Sequence, residues 1–201
     1  MLGLPKATEL HKQLPKKAIY AKFQMNTAAK EKIDTDISRI AIVNEVSPSK
    51  IHISEGEQVK TFFVVQVMLK KKDFAEGTLA TLSTLIPQNM LFVLECGDEA
   101  KLAIYHTKLM QTDWQQKESF ILTLKGLTLD AVWENIIVGV GGVEIESGNT
   151  LDEQIVVDDR RQRLEKEIVR LESKARKEKQ PKKKFEVVQQ INELRKELEA
   201  I

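Results

Sequence analysis

Residues 158–201 read DDRRQRLEKEIVRLESKARKEKQPKKKFEVVQQINELRKELEAI, and apolar residues recur through them in two series. Both series step by four, three and four residues, which is the spacing of a helix with one narrow apolar seam. Pro181 lies between the series, where it removes a backbone donor and disfavours helical geometry at Gln180. The pattern predicts two helices joined by a sharp turn. The series are Leu164, Ile168, Leu171 and Ala175, and then Val187, Ile191, Leu194 and Leu198.

The numbering of the two series predicts how the helices pair. In an antiparallel hairpin, the residue numbers of any two facing residues add up to the same sum. That sum is 362 for all four pairs of the two series, which are Leu164 with Leu198, Ile168 with Leu194, Leu171 with Ile191, and Ala175 with Val187. Its midpoint is Pro181, the residue expected to break the helix. We therefore predict an antiparallel helical hairpin on the order of 30 Å long. The alternative is one continuous helix, kinked at Pro181, that forms a homodimer through both series.

The rest of the chain has the length and composition of one ordinary domain. The chain has 201 residues, of which 42% are hydrophobic and 30% charged, so general disorder is not indicated. The glycine-dense segment 139–148 is the best candidate for a linker. We predict an α+β body over residues 1–148 and a helical arm over residues 149–201.

Strands are predicted where β-branched and aromatic residues cluster between turn signals. The segment 59–69 is long and strongly apolar, which predicts a central strand that is buried on both faces for part of its length. The mixture of strand and helix patterns predicts a mostly antiparallel or mixed sheet with packed helices. The other predicted strands are 39–45 and 50–54 as one hairpin, 90–95 and 101–107 as a second hairpin through the turn 96–100, and 119–124.

Helices are predicted from three- and four-residue spacing and from capping residues. Asn26 or Thr27 is the expected cap of a helix over 28–34. A longer helix over 73–85 is expected to pack on the sheet, with Pro87 closing it. The remaining predicted helices cover 16–23 and 130–138.

Charge is distributed unevenly along the chain, although the formal net charge is only +1. Residues 1–32 carry seven basic and two acidic residues, and residues 33–158 carry ten basic and nineteen acidic ones. Residues 170–184 carry eight basic and two acidic residues, a net charge of +6 at the turn of the arm. Such asymmetry indicates a partner recognised by its charge.

The single cysteine and the lack of a long apolar segment bear on where the protein is expected to be found. Cys96 is the single cysteine and cannot form an internal disulfide, which favours a reducing environment. No segment approaches the ~18 consecutive apolar residues of a membrane span. We therefore expect a cytoplasmic protein with no membrane attachment.

No arrangement of residues predicts a metal site, a cofactor or a catalytic centre. His11, His52 and His106 are far apart in sequence and lack metal-ligand spacing. The segment Gly139-Val-Gly-Gly142 follows a predicted helix, whereas a dinucleotide-binding loop needs a strand before it, a helix after it and a third glycine at fixed spacing. Cys96 has no partner that would make it a nucleophile.

One acidic cluster resembles part of a metal-dependent nuclease, in which carboxylates hold a divalent ion and a lysine stabilises the attacked phosphate. The cluster comprises Glu95, Asp98, Glu99 and Lys101. Asp98 and Glu99 fall in the predicted hairpin turn 96–100, which favours a solvated loop. A divergent nuclease is kept as an alternative hypothesis.

The turn of the arm is the strongest functional signal. Its cations would contact phosphates and release counterions, which gives salt-sensitive, sequence-independent affinity. The alternative is that these side chains only solvate the hairpin. The candidate nucleic-acid-binding residues, called the basic tip below, are Lys174, Arg176, Lys177, Lys179, Lys182, Lys183 and Lys184.

Several segments together resemble a known family over nearly the whole chain. They read MLGLPKAT at 1–8, LPKK at 14–17, IPQNMLFVLE at 86–95, LKGLTLDAVWEN at 124–135 and DDRRQRLEK at 158–166. They resemble the bacterial family of unknown function 4391. The resemblance implies a setting beside helicases and site-specific DNA methyltransferases of restriction-like defence islands, and it implies no catalytic residues.

Charge and resemblance together lead to one functional expectation. We expect a non-catalytic accessory subunit of a DNA-handling complex, in which the acidic body docks a helicase or DNA methyltransferase and the basic tip contacts nucleic acid. The nuclease and the arm-mediated homodimer are the alternatives.

Overall fold

The computed structural model describes residues 2–84 and 86–201. The chain divides into two compact units, Met1–Val143 and Glu144–Ile201. The predicted boundary at Gly148 falls inside the second unit.

The first unit is built on a mixed sheet. Within the described residues seven strands join in the order β1-β2-β3-β4-β5-β6, and β7 pairs with β5. β3 and β4 run parallel, whereas the other neighbours run antiparallel. The α+β fold class is thereby confirmed. The strands are β1 (Glu9–Gln13), β2 (Ile37–Val46), β3 (Phe62–Leu69), β4 (Asn89–Cys96), β5 (Glu99–Tyr105), β6 (Leu109–Gln111) and β7 (Gln115–Gln116).

The helices follow the sequence signals for caps and breaks. The Asn26 side chain accepts a hydrogen bond from the N–H of Ala29 at 2.9 Å, and Thr128 caps its helix in the same way. None of the described helices has the length and apolar content needed to cross a membrane. The helices are α1 (Lys16–Lys22), α2 (Thr27–Asp36), α3 (Pro48–Ile51), α4 (Gly77–Ser83), α5 (Leu129–Gly141), α6 (Leu151–Lys177) and α7 (Pro181–Glu199).

Helices cover the sheet on two sides. Ile19 of α1, Ile33 of α2 and Leu79 of α4 share one core with alternate residues of the central strands. On the other side, the rings of Phe62 in β3 and Trp133 in α5 lie 5.0 Å apart. Because side chains alternate along a strand, β3 and β4 supply apolar residues to both sides, as predicted for the segment 59–69.

A small hydrogen-bond network ties α1 and α2 together. The Tyr20 hydroxyl donates to the Asp34 carboxylate at 2.7 Å, and the Lys16 ammonium donates to the same oxygen at 2.9 Å. Burial, followed by the hydrogen bond to Asp34, raises the pKa of Tyr20 well above its usual value. The Lys16 and Tyr20 hydrogen bonds hold the pKa of Asp34 below its usual range.

Asp130, at the start of α5, holds the loop that precedes β3. Its carboxylate accepts from the N–H of Glu57 at 2.6 Å and of Val59 at 2.7 Å, with Gln58 between them at 3.2 Å. These backbone donors, Val59 first, keep the pKa of Asp130 below its usual range. The carboxylate replaces the backbone partners that the loop lacks.

Two predicted strands are wrong. Residues 50–54 do not form a strand, because Pro48 starts the short helix α3 and His52 ends it in the left-handed region at φ 56°. Residues 119–124 form no strand, since Ser119 ends a short 3-10 helix and Ile121 makes an isolated bridge with Leu2. The helix predicted over 73–85 is the shorter α4, and Leu85 lies outside the described residues.

β1 and the short strands β6 and β7 were not predicted from the sequence, and β1 is the longest of the three. The residues of β1 are all exposed, and all but Leu10 are polar, so no apolar alternation marks them. Pairing with β2 holds β1, with a register shift between Glu9 and Lys12. His11 lies at that bulge with φ 49°.

In the second unit, α6 and α7 pack against each other as the predicted hairpin. Five of the eight seam residues, from Ile168 to Ile191, are buried in one cluster, and Leu194 and Leu198 pack against it. The ion pairs Arg160–Glu197 and Arg195–Glu172, each 2.7 Å, link the helices outside the seam. The glycine segment is not wholly a linker, because Gly139 and Gly141 belong to α5 and Gly142 ends it at φ 61°.

Candidate nucleic-acid interface

The connection between α6 and α7 is only three residues long, Glu178 to Gln180. The Glu178 carboxylate accepts from the N–H of Gln180 at 2.8 Å. That hydrogen bond, helped by the positive charges of Lys183 and Lys174, keeps the pKa of Glu178 below its usual range. The ionised Glu178 carboxylate thus stabilises the turn between the two helices.

All seven residues of the basic tip are exposed. Between Ser173 and Phe185 the chain carries these seven cations against one acid, Glu178, a net charge of +6. Among the residues that the structure describes, an ion pair within 4 Å is found for one of the seven, Arg176 with Glu172 at 3.6 Å. Arg195 shares that carboxylate at 2.7 Å. The tip therefore carries cations that its own acids do not neutralise.

Arg170 joins the predicted residues in a shallow groove on α6. The groove is lined by Arg170, Ser173, Lys174, Lys177 and Glu178. The first four positions follow i, i+3, i+4 and i+7 spacing, so they form one stripe of the helix. The sequence-based prediction did not include Arg170, although that spacing is visible in the sequence.

The chemistry of this surface suits phosphate. Lysine and arginine provide charge-assisted donors to phosphate oxygens, and arginine donates two at once. Nothing in the groove offers an aromatic platform for bases, since Phe185 lies outside its lining. The arrangement can therefore hold a phosphate backbone without reading sequence.

The acidic cluster of the nuclease alternative is divided by the sheet. Glu95 pairs with Ala100, whereas Lys101 pairs with Leu94, so Glu95 and Lys101 project from opposite faces. Glu95 is buried and accepts from the Gln66 amide at 2.8 Å. Glu99 is ion-paired with Lys72. These positions give the nuclease hypothesis no geometric support.

Lys101 lies among aromatic rings that sequence reasoning missed. Its ammonium is 5.2 Å from the centre of the Phe74 ring and 5.4 Å from that of Trp114. Burial lowers the pKa of Lys101, and the charges of Glu76 and Asp113 oppose that effect. No sequence signal connects these residues, because they come from separate segments that meet only in the fold.

A family model agrees with the resemblance noted from the sequence. The model described as "Domain of unknown function (DUF4391)" matches residues 2–198. The chain belongs to the DUF4391 family. No curated protein and no solved structure matches this DUF4391 chain.

The histidines and the cysteine of this DUF4391 chain lie apart from the basic tip in sequence. His11 is 3.5 Å from Glu9 within β1, and Cys96 is a half-buried free thiol at the end of β4. Within residues 2–84 and 86–201, no three His, Cys, Asp or Glu side chains are placed to hold a metal ion together.

Proposed function

We propose that this DUF4391 protein is a non-catalytic accessory subunit of a restriction-like, DNA-handling complex, and that its basic tip contacts nucleic acid. One observation carries the proposal. The basic tip presents seven exposed cations against a single acid within its span, on a narrow hairpin. A purely solvated helical surface usually mixes charges of both signs.

A tip of this charge should bind nucleic acid in a salt-sensitive and sequence-independent way. Each cation that neutralises a phosphate releases condensed counterions, so affinity falls as salt rises. Backbone contacts carry no sequence information. The protein would thus add affinity and position to a complex, while a partner supplies recognition and chemistry.

The acidic segment 33–158 supports a protein partner. Residues 33–158 carry ten basic and nineteen acidic residues, so this part would repel DNA and attract a basic protein surface. The setting that the family resemblance implies supplies candidate partners, a helicase or a DNA methyltransferase. A cytoplasmic location belongs to the same proposal.

Nucleic-acid binding is tested by removing charge from the tip. The variant Lys182→Gln/Lys183→Gln/Lys184→Gln should weaken binding to a duplex of mixed sequence by a similar factor for every sequence. The slope of log K against log salt should flatten by up to ~0.9 for each phosphate that the variant no longer neutralises. Fluorescence anisotropy over a series of salt concentrations measures both quantities.

A matched control removes the same charge elsewhere. Lys125, Lys166 and Lys196 are exposed and lie outside the tip, and their replacement by glutamine should leave the slope close to that of the wild type. Equal effects of the two triple variants would contradict a role for the tip, and so would an unchanged slope in the tip variant.

The accessory role needs a separate test. Tagged protein co-expressed with the helicase or methyltransferase encoded beside it should retain that partner at low salt. Clean failure to associate would remove the accessory role while leaving the binding result standing. Magnesium-dependent cleavage that Glu99→Ala or Lys101→Ala abolishes would instead revive the nuclease hypothesis.

A further inference from the structure

We infer that the phosphate contacts are confined to one side of the hairpin. This surface, called the basic face, consists of Arg170, Lys174, Lys177 and Lys183. It fits a single phosphodiester backbone. The inference rests on the proposed function and deepens it, since it states which cations bind and what they bind.

The buried seam determines which side each cation occupies. Lys174 precedes and Arg176 follows the seam residue Ala175, and a step of one residue turns a helix by about 100°. These two cations therefore flank the seam on opposite sides. On α7, Lys183 and Lys184 stand four and three residues before the seam residue Val187, and they too lie on opposite flanks.

An ion pair shows which flanks belong together. Glu172 contacts both Arg176 of α6 and Arg195 of α7, so these arginines lie on one side of the hairpin. Arg195 and Lys184 are eleven residues apart, close to three full turns, which puts Lys184 on that side and leaves Lys183 with Lys174 on the other. Lys174 also lines the groove with Arg170 and Lys177, which adds both cations to its side. The basic face is therefore continuous from α6 across the turn to α7.

The opposite side is chemically different. There Arg176 and Arg195 share the Glu172 carboxylate, at 3.6 Å and 2.7 Å. Arg170 of the basic face is also paired, with Glu167 at 2.6 Å, so the two sides differ in their lysines. Among the described residues, the three lysines of the basic face take part in no ion pair within 4 Å, whereas Lys184 is the one tip lysine assigned to the opposite side. The helical step of 100° places Val188 beside this flank of the seam, and its side chain is 39% exposed. A paired, partly apolar surface is a poor phosphate site.

The dimensions of the basic face suit one strand of nucleic acid. Arg170 and Lys177 are seven residues apart, which is about 10 Å along the helix at ~1.5 Å per residue. One strand of B-DNA carries a phosphate every ~3.4 Å of axis, so the stripe spans about three phosphates. A second backbone is not required, and we expect both single-stranded and double-stranded DNA to bind.

The test uses two full-length double variants, each of which loses two positive charges. Lys174→Gln/Lys183→Gln removes two cations of the basic face, and Arg176→Gln/Lys184→Gln removes two from the opposite side. The first should weaken duplex binding by tens of fold at about 0.1 M salt and flatten the salt slope by ~1.8. The second should weaken binding by only a fewfold and flatten the slope clearly less than the first. Circular dichroism verifies that both variants keep their helices.

Equal weakening in the two variants would overturn the one-sided face and leave the proposed function intact. Absence of DNA binding by the wild-type chain would instead overturn the proposed function. Binding to duplex with none to a single-stranded oligonucleotide of the same length would refute the single-backbone fit. Competition by polyglutamate as strong as that by DNA would show that the face binds acidic polypeptide and overturn the nucleic-acid assignment.

Discussion

Replacing Leu171 by alanine should open the arm without unfolding the first unit. Leu171 is 6% exposed and belongs to the seam cluster with Ile168, Ala175 and Ile191. Leucine-to-alanine changes at buried sites cost about 2–5 kcal/mol, depending on how far the cavity collapses. Two helices can relax toward each other, so we expect a cost of ~2–3 kcal/mol. That destabilisation raises the opening equilibrium of the hairpin roughly 30- to 150-fold, at ~1.4 kcal/mol per factor of ten.

Hydrogen exchange followed by mass spectrometry measures this opening locally. Peptides from residues 160–177 and 181–199 should lose protection by that factor, whereas peptides from β3 and β4 should keep theirs. The matched control is Val169→Ala, which also shortens an apolar side chain on α6, but at a position that is 64% exposed. A surface change of this kind usually alters stability by less than ~0.5 kcal/mol.

Two results would refute the reasoning behind this prediction. Equal loss of protection in Leu171→Ala and Val169→Ala would mean that the seam does not hold the arm together. A wild-type dimer in light scattering that becomes a monomer in Leu171→Ala would mean that the seam joins two chains.

Two further predictions concern the first unit. Asp130→Asn should speed amide exchange at residues 57–59 and lower the free energy of unfolding at neutral pH. Because the pKa of Asp130 is depressed in the folded state, the difference in stability between variant and wild type should persist above about pH 4 and shrink as pH falls below it. Glu134→Gln, an exposed change on the same helix, should show neither effect, and a pH-independent difference would contradict the role of the carboxylate. Tyr20 should stay protonated where an ordinary tyrosine ionises, near pH ~10, so wild type and Tyr20→Phe should show the same absorbance rise at about 295 nm between about pH 9 and 11. A smaller rise in the variant would contradict the raised pKa.

The elements that the sequence predicted well are those whose pattern and packing agree. The arm follows from two heptad series and one proline, because the seam residues find partners within the same short segment. The hairpin of β4 and β5 follows from two apolar runs and Gly97, which adopts φ 64° in the turn. In both, local sequence and final packing favour one structure.

The elements that the sequence missed depend on distant partners. The alternation over residues 50–54 is typical of a strand, yet Pro48 and the left-handed His52 make a short helix there. β1 forms because its backbone pairs with the edge of β2. The rings around Lys101 belong to segments with no shared pattern, so only the fold reveals them. The basic tip was visible in composition, but the division of its cations between two sides required the seam and the ion pairs of Glu172 with Arg176 and Arg195.

The bulge in β1 has a consequence for behaviour at high concentration. A strand at the edge of a sheet exposes unpaired backbone groups that can template pairing with another copy. In β1 the register shift between Glu9 and Lys12, and the left-handed His11 within it, interrupt the regular ladder, and the five residues are all exposed and largely charged or polar. This irregular edge resists intermolecular strand addition, so a change that straightens it would promote aggregation while leaving the hydrophobic core untouched.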